Sequence, residues 1–384
     1  MEILKKDNII SGDRFYVTYS LSGSEVEANA KAKDICIEQT VEFPPPLIPV
    51  GMIQGHVLGR IESFEPWDEG YKVKISFAIE TTANELTQLL NVVFGNISIK
   101  PGIKVDDIEL PPSLLNQYNG PRFGREGLRR ILGDVERPLL FTALKPMGLS
   151  AQQLAELAYK FALGGIDIIK DDHGLTDQCF APFNERVRLC TAAVAKANRE
   201  TGNCSIYVPN VTAGGSKLIK RAKQAKEAGA GGILVAPGLV GLDTMRELAD
   251  DDSIGLPIFS HPAFIGSYII SPENGFSHQV LFGKIMRLAG ADAVIYPNFG
   301  GRFSFSQQEC EAIVQGTHVS MGTIKSIFPA PGGGMSIERV PEMHRVYGND
   351  VMFLIGGGLF QRGPDIVENC RYFREMLNLR CTNA

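Results

Sequence analysis

Ala162-Leu-Gly-Gly-Ile-Asp-Ile-Ile-Lys170-Asp-Asp-His173 runs from a helix end through a short apolar strand into a polar strand end. Glycine just past a helix satisfies its last carbonyls, and a parallel strand covered on both faces reads as a continuous apolar run. The same arrangement returns in Ala228-Gly-Ala-Gly-Gly-Ile-Leu-Val-Ala236 and in Ala289-Gly-Ala-Asp-Ala-Val-Ile-Tyr296. Working outward from these copies predicts eight strands: Leu139–Leu144, Ile166–Lys170, Ser205–Val208, Ile233–Ala236, Pro257–Ser260, Ala293–Tyr296, Ile327–Ala330 and Val351–Ile355. Helical stretches separate them, ending with Asp365–Leu377. Eight alternating units over about 240 residues match a (β/α)8 barrel, with an open doubly wound sheet as the alternative.

The residues before the barrel read as a smaller α+β domain. Arg14–Leu21 alternates as a strand, Ser24–Val41 has helical spacing with Ser24 as N-cap, and Pro44-Pro-Pro46 breaks the chain. His56–Phe64 and Tyr71–Ile79 are predicted to pair around Glu65–Gly70; helix Thr82–Phe94 and extended Ser98–Leu110 follow. The order β-α-β-β-α-β is that of a ferredoxin-like sheet. The expected division is residues 1–125 for this domain and 126–384 for the barrel.

Composition narrows the function. At 384 residues, 44% hydrophobic and 21% charged, the chain has enough apolar content for a packed core. A net charge of -5 argues against a nucleic-acid partner, and the basic run Lys217–Lys223 reads as the wet face of a helix. Seven scattered cysteines without a C-x-x-C pair point to reduced thiols. No cleavable leader is visible in Met1–Phe15, and no apolar run approaches the ~20 residues that span a bilayer. A cytoplasmic protein without a membrane partner is expected.

In a (β/α)8 barrel the site is built at the C-terminal ends of the strands. Those ends carry Lys145-Pro146, Lys170-Asp-Asp-His173, Asn210, His261 and Asn298. Lys170 and Asp172, two apart in extended chain, point the same way. One reading is a structural Lys–Asp pair. The other is a metal site in which Lys170 is converted to an anionic carbamate, whose oxygens suit Mg2+. Strands 7 and 8 open into Gly332-Gly-Gly334 and Gly356-Gly-Gly358, the adjacent positions at which barrel backbones cradle a phosphate. His56, His278, His318 and His344 read as surface or capping residues, and Trp67 as packed in its turn.

These residues carry a family resemblance. Gly164-Gly-Ile-Asp-Ile-Ile-Lys-Asp-Asp-His173 resembles the activator-lysine motif of ribulose-bisphosphate carboxylase, G-G-x-D-x-x-K-D-D-E. Thr142-Ala-Leu-Lys-Pro-Met-Gly-Leu-Ser150 is similar to that family's first-strand motif, and the two glycine runs fall in the right order. The resemblance implies that Lys170 is carbamylated by CO2 and ligates the metal together with Asp172. It implies that Lys145 acts as base or acid beside the substrate carbonyl, and that His261 belongs to the site. Gly333, Gly334, Gly356 and Gly357 would hold one phosphate. Glu38 resembles the acidic residue that the N-terminal domain lends to a neighbouring subunit, so a homodimer with shared sites is implied.

The departures redirect the function. His173 stands where the family has a glutamate ligand, shifting the set toward mixed N/O coordination that tolerates Mn2+. Met147 and a deletion replace a second lysine; Pro262 replaces an arginine, and Ile295 a histidine. Arg302 aligns with the lysine that closes over CO2, and the two cations differ in reach and geometry. With one phosphate cradle kept and the other stripped of cations, a bisphosphate substrate and net carboxylation are not expected. A carboxylase-like protein acting on a sugar monophosphate through an enediolate is expected, with Arg302 and Asn298 as further substrate contacts. The leading expectation is decarboxylation of 3-oxo-isoapionate 4-phosphate, in place of which its hydrolytic cleavage is possible. The alternatives are an enolase or isomerase of a methylthio-pentulose 1-phosphate, or a sugar-phosphate-binding protein without catalysis.

Overall fold

Period-two burial shapes the first strand, β1 (Arg14–Ser22), in which Phe15, Val17, Tyr19 and Leu21 are buried and alternate with partly exposed neighbours. The computed structural model describes residues 10–68, 70–303 and 305–381; the first nine residues, on which the absence of a leader was read, lie outside them. Contacts divide the chain into two compact units, one of Met1–Tyr118 with Ser267–Val280 and Met321–Thr323, the other holding the remainder.

In the first unit, Ser24 caps helix Glu25–Glu38, and Glu27 returns the bond to the cap. Strands β2 (Arg60–Trp67) and β3 (Gly70–Ala78), helix Leu86–Phe94 and β4 (Ile103–Glu109) follow. The sheet order β4-β1-β3-β2 is antiparallel throughout, which is the ferredoxin-like arrangement. Several boundaries differ from expectation; β4, for one, starts at Ile103 rather than Ser98, after a tight helical turn at Asn96–Ile99. β2 starts at Arg60 because residues 53–57 coil into a helical turn whose end Arg14 holds through the His56 and Leu58 carbonyls. The second helix starts at Leu86 because Ala83 and Asn84 take left-handed φ values of 49° and 61°. Trp67 does not pack in its turn; it is 56% exposed, with the Lys72 ammonium 3.6 Å over its ring.

The second unit is the barrel. Its strands are β5 (Leu139–Leu144), β6 (Ile168–Asp171), β7 (Ile206–Val208), β8 (Ile233–Val235) and β9 (Ile258–Ser260). The two-residue strand β10 (Gly275–Phe276) instead pairs with β4 in the first unit. β11 (Ala293–Pro297), β12 (Phe328–Gly332) and β13 (Met352–Leu354) complete the barrel. All pairing is parallel, in the orders β13-β5-β6-β7 and β8-β9-β11-β12. The Asn210–Leu234 bridge joins β7 to β8, and β12 packs against β13, so the eight strands form a ring. Phe141, Val208, Phe259, Ile295 and Phe328 fill its centre, each worth about 1.5–3 kcal/mol on full burial.

Polar residues lock the opposite end of the barrel. Asp167 accepts both Arg137 guanidinium nitrogens, at 2.7 and 2.9 Å, and the Leu140 N–H, which starts β6 two residues later than expected. Asp292 is fully buried and accepts the N–H groups of Phe123, Gly124 and Ile258 at 2.8, 2.6 and 2.9 Å. Burial pushes its carboxyl up to about 6 against the pull of those donors. Asp292→Ala would orphan three buried donors, so its melting midpoint is expected to fall by roughly 10 °C in calorimetry. A midpoint within 2 °C of wild type would mean water takes the carboxylate's place.

The described cysteines, Cys36, Cys179, Cys190, Cys204, Cys310 and Cys370, are free thiols. Among the described residues no helix is long and apolar enough to cross a membrane. Lys217, Lys220 and Lys223 lie on the exposed face of helix Ser216–Glu227, while Leu218, Ala222 and Ala225 face inward. His278 is buried rather than on the surface.

Candidate active site

Alternation along β6 sorts three consecutive polar residues. Lys170 and Asp172 share the inner side, and Asp171 points the other way, toward helix Phe183–Thr201. Lys170 is 2% exposed, and its ammonium donates to the Asp171 carbonyl at 3.1 Å. Burial brings its proton affinity down to about 8, with the Lys145 charge adding to the effect and Asp172 opposing it.

Lys145, at the end of β5, places Nζ 2.7 Å from Asp172 Oδ1. His173 Nδ1 lies 3.3 Å from the same oxygen. Burial alone would raise the Asp172 carboxyl, but the bonds from His173 and Lys145 and the charge of Lys170 hold it well below the usual carboxylate range. The His173 ring stacks on His261 at 4.7 Å and 10°. Ala263 N–H donates to His261 Nδ1 at 3.1 Å, so the neutral ring carries its proton on Nε2. Burial first, and then the positive Lys170, keep His261 well below the usual imidazole range.

The glycine loops lie beside this cluster. A Cβ on Gly358 would fall 2.7 Å from the Met335 carbonyl, so the loop after β13 packs directly on the loop after β12. Gly333 and Gly334 have φ of 83° and 94°, and Arg302 N–H donates to the Gly333 carbonyl at 3.0 Å. A Cβ on Gly334 would meet that Arg302 nitrogen at 2.9 Å, which closes the position to other residues. At Gly356 the nearest side-chain atom to a Cβ would be Lys145 Cε, at 3.8 Å, and at Gly357 nothing lies within 4 Å. Lys145 therefore stands between the Asp172 carboxylate and an open stretch of backbone.

Two further expected contacts have protein partners of their own. Asn298 is fully buried, accepts from Tyr347 Oη at 2.5 Å and directs its amide at Met343 Sδ, 3.2 Å away, so both ends of its amide already have a protein partner. Glu38 belongs to the first unit, where it accepts from Asn96 at 3.0 Å. Sequence reasoning missed Arg186 and Tyr207, which bond Asp171 from behind, and Arg339, which holds the Phe299 and Gly300 carbonyls of the loop after β11. Of these, only the Asp171 partners left a signal, because an acid on the outer side of a covered strand requires a donor.

Among the described residues no three His, Cys, Asp or Glu side chains form a metal cage, so a carbamate on Lys170 would be the further ligand to Asp172 and His173. The donor chemistry fits that role. The neutral amine is the form that adds CO2, burial makes it accessible, and the resulting carbamate would join the Asp172 carboxylate and the His173 imidazole.

Residues 124–366 match the family model for the ribulose bisphosphate carboxylase large chain, catalytic domain. Ribulose bisphosphate carboxylase-like protein 1 of Rhodopseudomonas palustris is 37% identical over 362 residues, 94% of this chain and 96% of its own. The 5-methylthioribulose-1-phosphate isomerase of Rhodospirillum rubrum is 38% identical over 363 residues, 94% of this chain and 95% of its own. The crystal structure of a Rubisco-like protein from Rhodopseudomonas palustris superposes with a TM-score of 0.86 at 36% identity, covering 96% of this chain and 98% of that one.

Proposed function

The chain belongs to the ribulose bisphosphate carboxylase large-chain family as one of its carboxylase-like members, and on that premise we propose that it isomerises a methylthio-pentulose 1-phosphate through an enediolate. The observation that carries the reading is Lys145, whose amine lies 2.7 Å from Asp172 while its stem passes the open Gly356, 3.8 Å from where a Cβ there would stand. A phosphate on the glycine loops brings the neighbouring carbonyl carbon of its ester within reach of that amine. The name of the Rhodospirillum rubrum relative supports this substrate, and it favours isomerisation over the decarboxylation first expected.

The chemistry follows from the side chains. In its neutral form Lys145 takes the proton from the hydroxyl-bearing carbon beside the carbonyl and returns it to the former carbonyl carbon. The hydroxyl proton passes to the old carbonyl oxygen, so the carbonyl moves along the chain with no carbon–carbon or phosphate bond broken. His261 offers its Nε2 proton to the oxygen on which negative charge develops. A divalent cation, Mg2+ or Mn2+, held by carbamylated Lys170, Asp172 and His173 would supply a fixed positive charge beside that oxygen. Gly333, Gly334, Gly356 and Gly357 hold the phosphate by their N–H groups, and Arg302 closes over it. Arg302→Ala is expected to raise KM about tenfold with a smaller change in kcat, as loss of a charged phosphate bond requires. An unchanged KM would remove Arg302 from the phosphate site. Assembly as a homodimer, with Glu38 contributed to the partner's site, belongs to the same reading and is checked by sedimentation.

The deciding experiment follows 5-methylthioribulose 1-phosphate by NMR in D2O with Mg2+ and bicarbonate, with 3-oxo-isoapionate 4-phosphate in a parallel tube. A moved carbonyl with deuterium at carbon supports isomerisation. Carbon dioxide from the second substrate and no turnover of the first would replace it with decarboxylation.

A further inference from the structure

The middle acid of Lys170-Asp171-Asp172 has no place in the chemistry above, yet it is the most completely bonded of the three. Asp171 is fully buried. Its Oδ1 accepts from Tyr207 Oη at 2.6 Å, and its Oδ2 accepts from Arg186 Nε at 3.2 Å and from the Asn210 N–H at 3.0 Å. Two of those partners grip the loop that follows β6. Arg186, itself fully buried, donates Nη1 to the Ala181 carbonyl at 2.6 Å and Nη2 to that of Thr176 at 2.8 Å. Asn210 donates its amide to the carbonyls of His173 and Leu175 at 2.8 and 3.0 Å.

Four carbonyls of residues 173–181 are thus held by two residues that both bond one carboxylate, Arg186 through its side chain and Asn210 through its backbone N–H. Burying a carboxylate and a guanidinium together is costly, and hydrophobic residues of similar size hold helices to barrels at less expense. What a hydrophobic contact does not supply is direction, since hydrogen bonds fix where the chain points.

We infer that Asp171, Arg186, Tyr207 and Asn210 are positioning residues that aim Asp172 and His173 at the reacting centre. Lys170 gains as well, because its ammonium donates to the Asp171 carbonyl and its strand is pinned one residue further on. The inference rests on the reading of Lys170, Asp172 and His173 as the holders of a cation, and it assigns the loop's geometry to a network outside that set. Partners of this kind carry about 10- to 100-fold in metal affinity or activity where they have been removed.

The test uses the full chain with Mn2+ and bicarbonate, reading bound Mn2+ by electron paramagnetic resonance, turnover by kcat and KM, and folding by the melting midpoint. Asn210→Ser frees the His173 and Leu175 carbonyls without stranding a charge, and Tyr207→Phe removes one bond to Asp171. Both are expected to bind Mn2+ about tenfold more weakly and to lose about tenfold in kcat, with KM within threefold because the phosphate loops are untouched. Asn210→Ser decides if Tyr207→Phe fails to fold. Mn2+ affinity and kcat within twofold of wild type in the folded variants would overturn the inference. If the wild type takes up no Mn2+, the cation reading falls alone. Positioning then stands on a tenfold loss of kcat at constant KM, and falls with an unchanged kcat.

Discussion

Lys170→Ala is expected to lose at least about 10³-fold in kcat while keeping its fold. The fold should survive because the amine's burial is a cost that the alanine removes, and because Lys145 remains on Asp172 at 2.7 Å. Activity should not survive, because the cage lacks a third ligand without this residue among the described side chains. The proton affinity of the amine sets a second expectation. Lowered from 10.5 to about 8, the amine is half neutral near pH 8 rather than almost wholly charged. Only the neutral form adds CO2, so carbamate formation in the metal-free protein should rise with pH between about 7 and 9. Carbon-13 NMR with labelled bicarbonate reads it directly, and Lys170→Ala should show no such signal. A variant that turns over within tenfold of wild type would reduce Lys170 to a structural partner of Asp172.

The contrast between Lys170 and Asp171 shows what the sequence could and could not say. Period-two alternation placed Lys170 and Asp172 on one side, and the structure has them there because β6 is extended through Asp171. The same alternation forces Asp171 outward, yet which donor meets it depends on how helix Phe183–Thr201 rotates onto the barrel. That rotation is set by the packing of Phe183, Val187 and Cys190, which no local pattern encodes. Asn298 illustrates the converse. Its place at the end of β11 suggested a substrate contact, but Tyr347, on a later helix, occupies its carbonyl. The strand of Leu139–Leu144 was legible to the residue because all six side chains are buried. Ile166–Lys170 slipped at its start, where the Asp167 side chain takes the Leu140 N–H and the Arg137 fork while its backbone still bonds to Leu140 and Ile206. Apolar burial writes itself into local sequence, whereas polar partnership across the barrel does not.

The second large effect belongs to Lys145. Lys145→Met keeps the stem and removes the amine, and kcat is expected to fall about 10³-fold, within the range for a positioned acid or base. KM should stay within a few-fold, because the N–H groups proposed to hold the phosphate lie on the loops after β12 and β13. Loss of the amine also leaves Asp172 Oδ1 with only His173, at 3.3 Å, so some of the loss could come from a displaced carboxylate. Two readouts separate these causes. Deuterium exchange from solvent into the substrate reports proton transfer alone, and Mn2+ affinity reports the carboxylate. If Lys145 moves the proton, Lys145→Met abolishes exchange while Mn2+ binds as in wild type, or more tightly now that Asp172 is free of the ammonium. Exchange at the wild-type rate would take Lys145 out of the proton path and leave it as a counter-charge to Asp172. His261 would then be the group to examine, since its neutral ring lies within the same cluster, stacked on His173. The amine is the stronger candidate on geometry, because it bonds the Asp172 carboxylate at 2.7 Å and its stem runs beside Gly356, one of the glycines that would hold the phosphate.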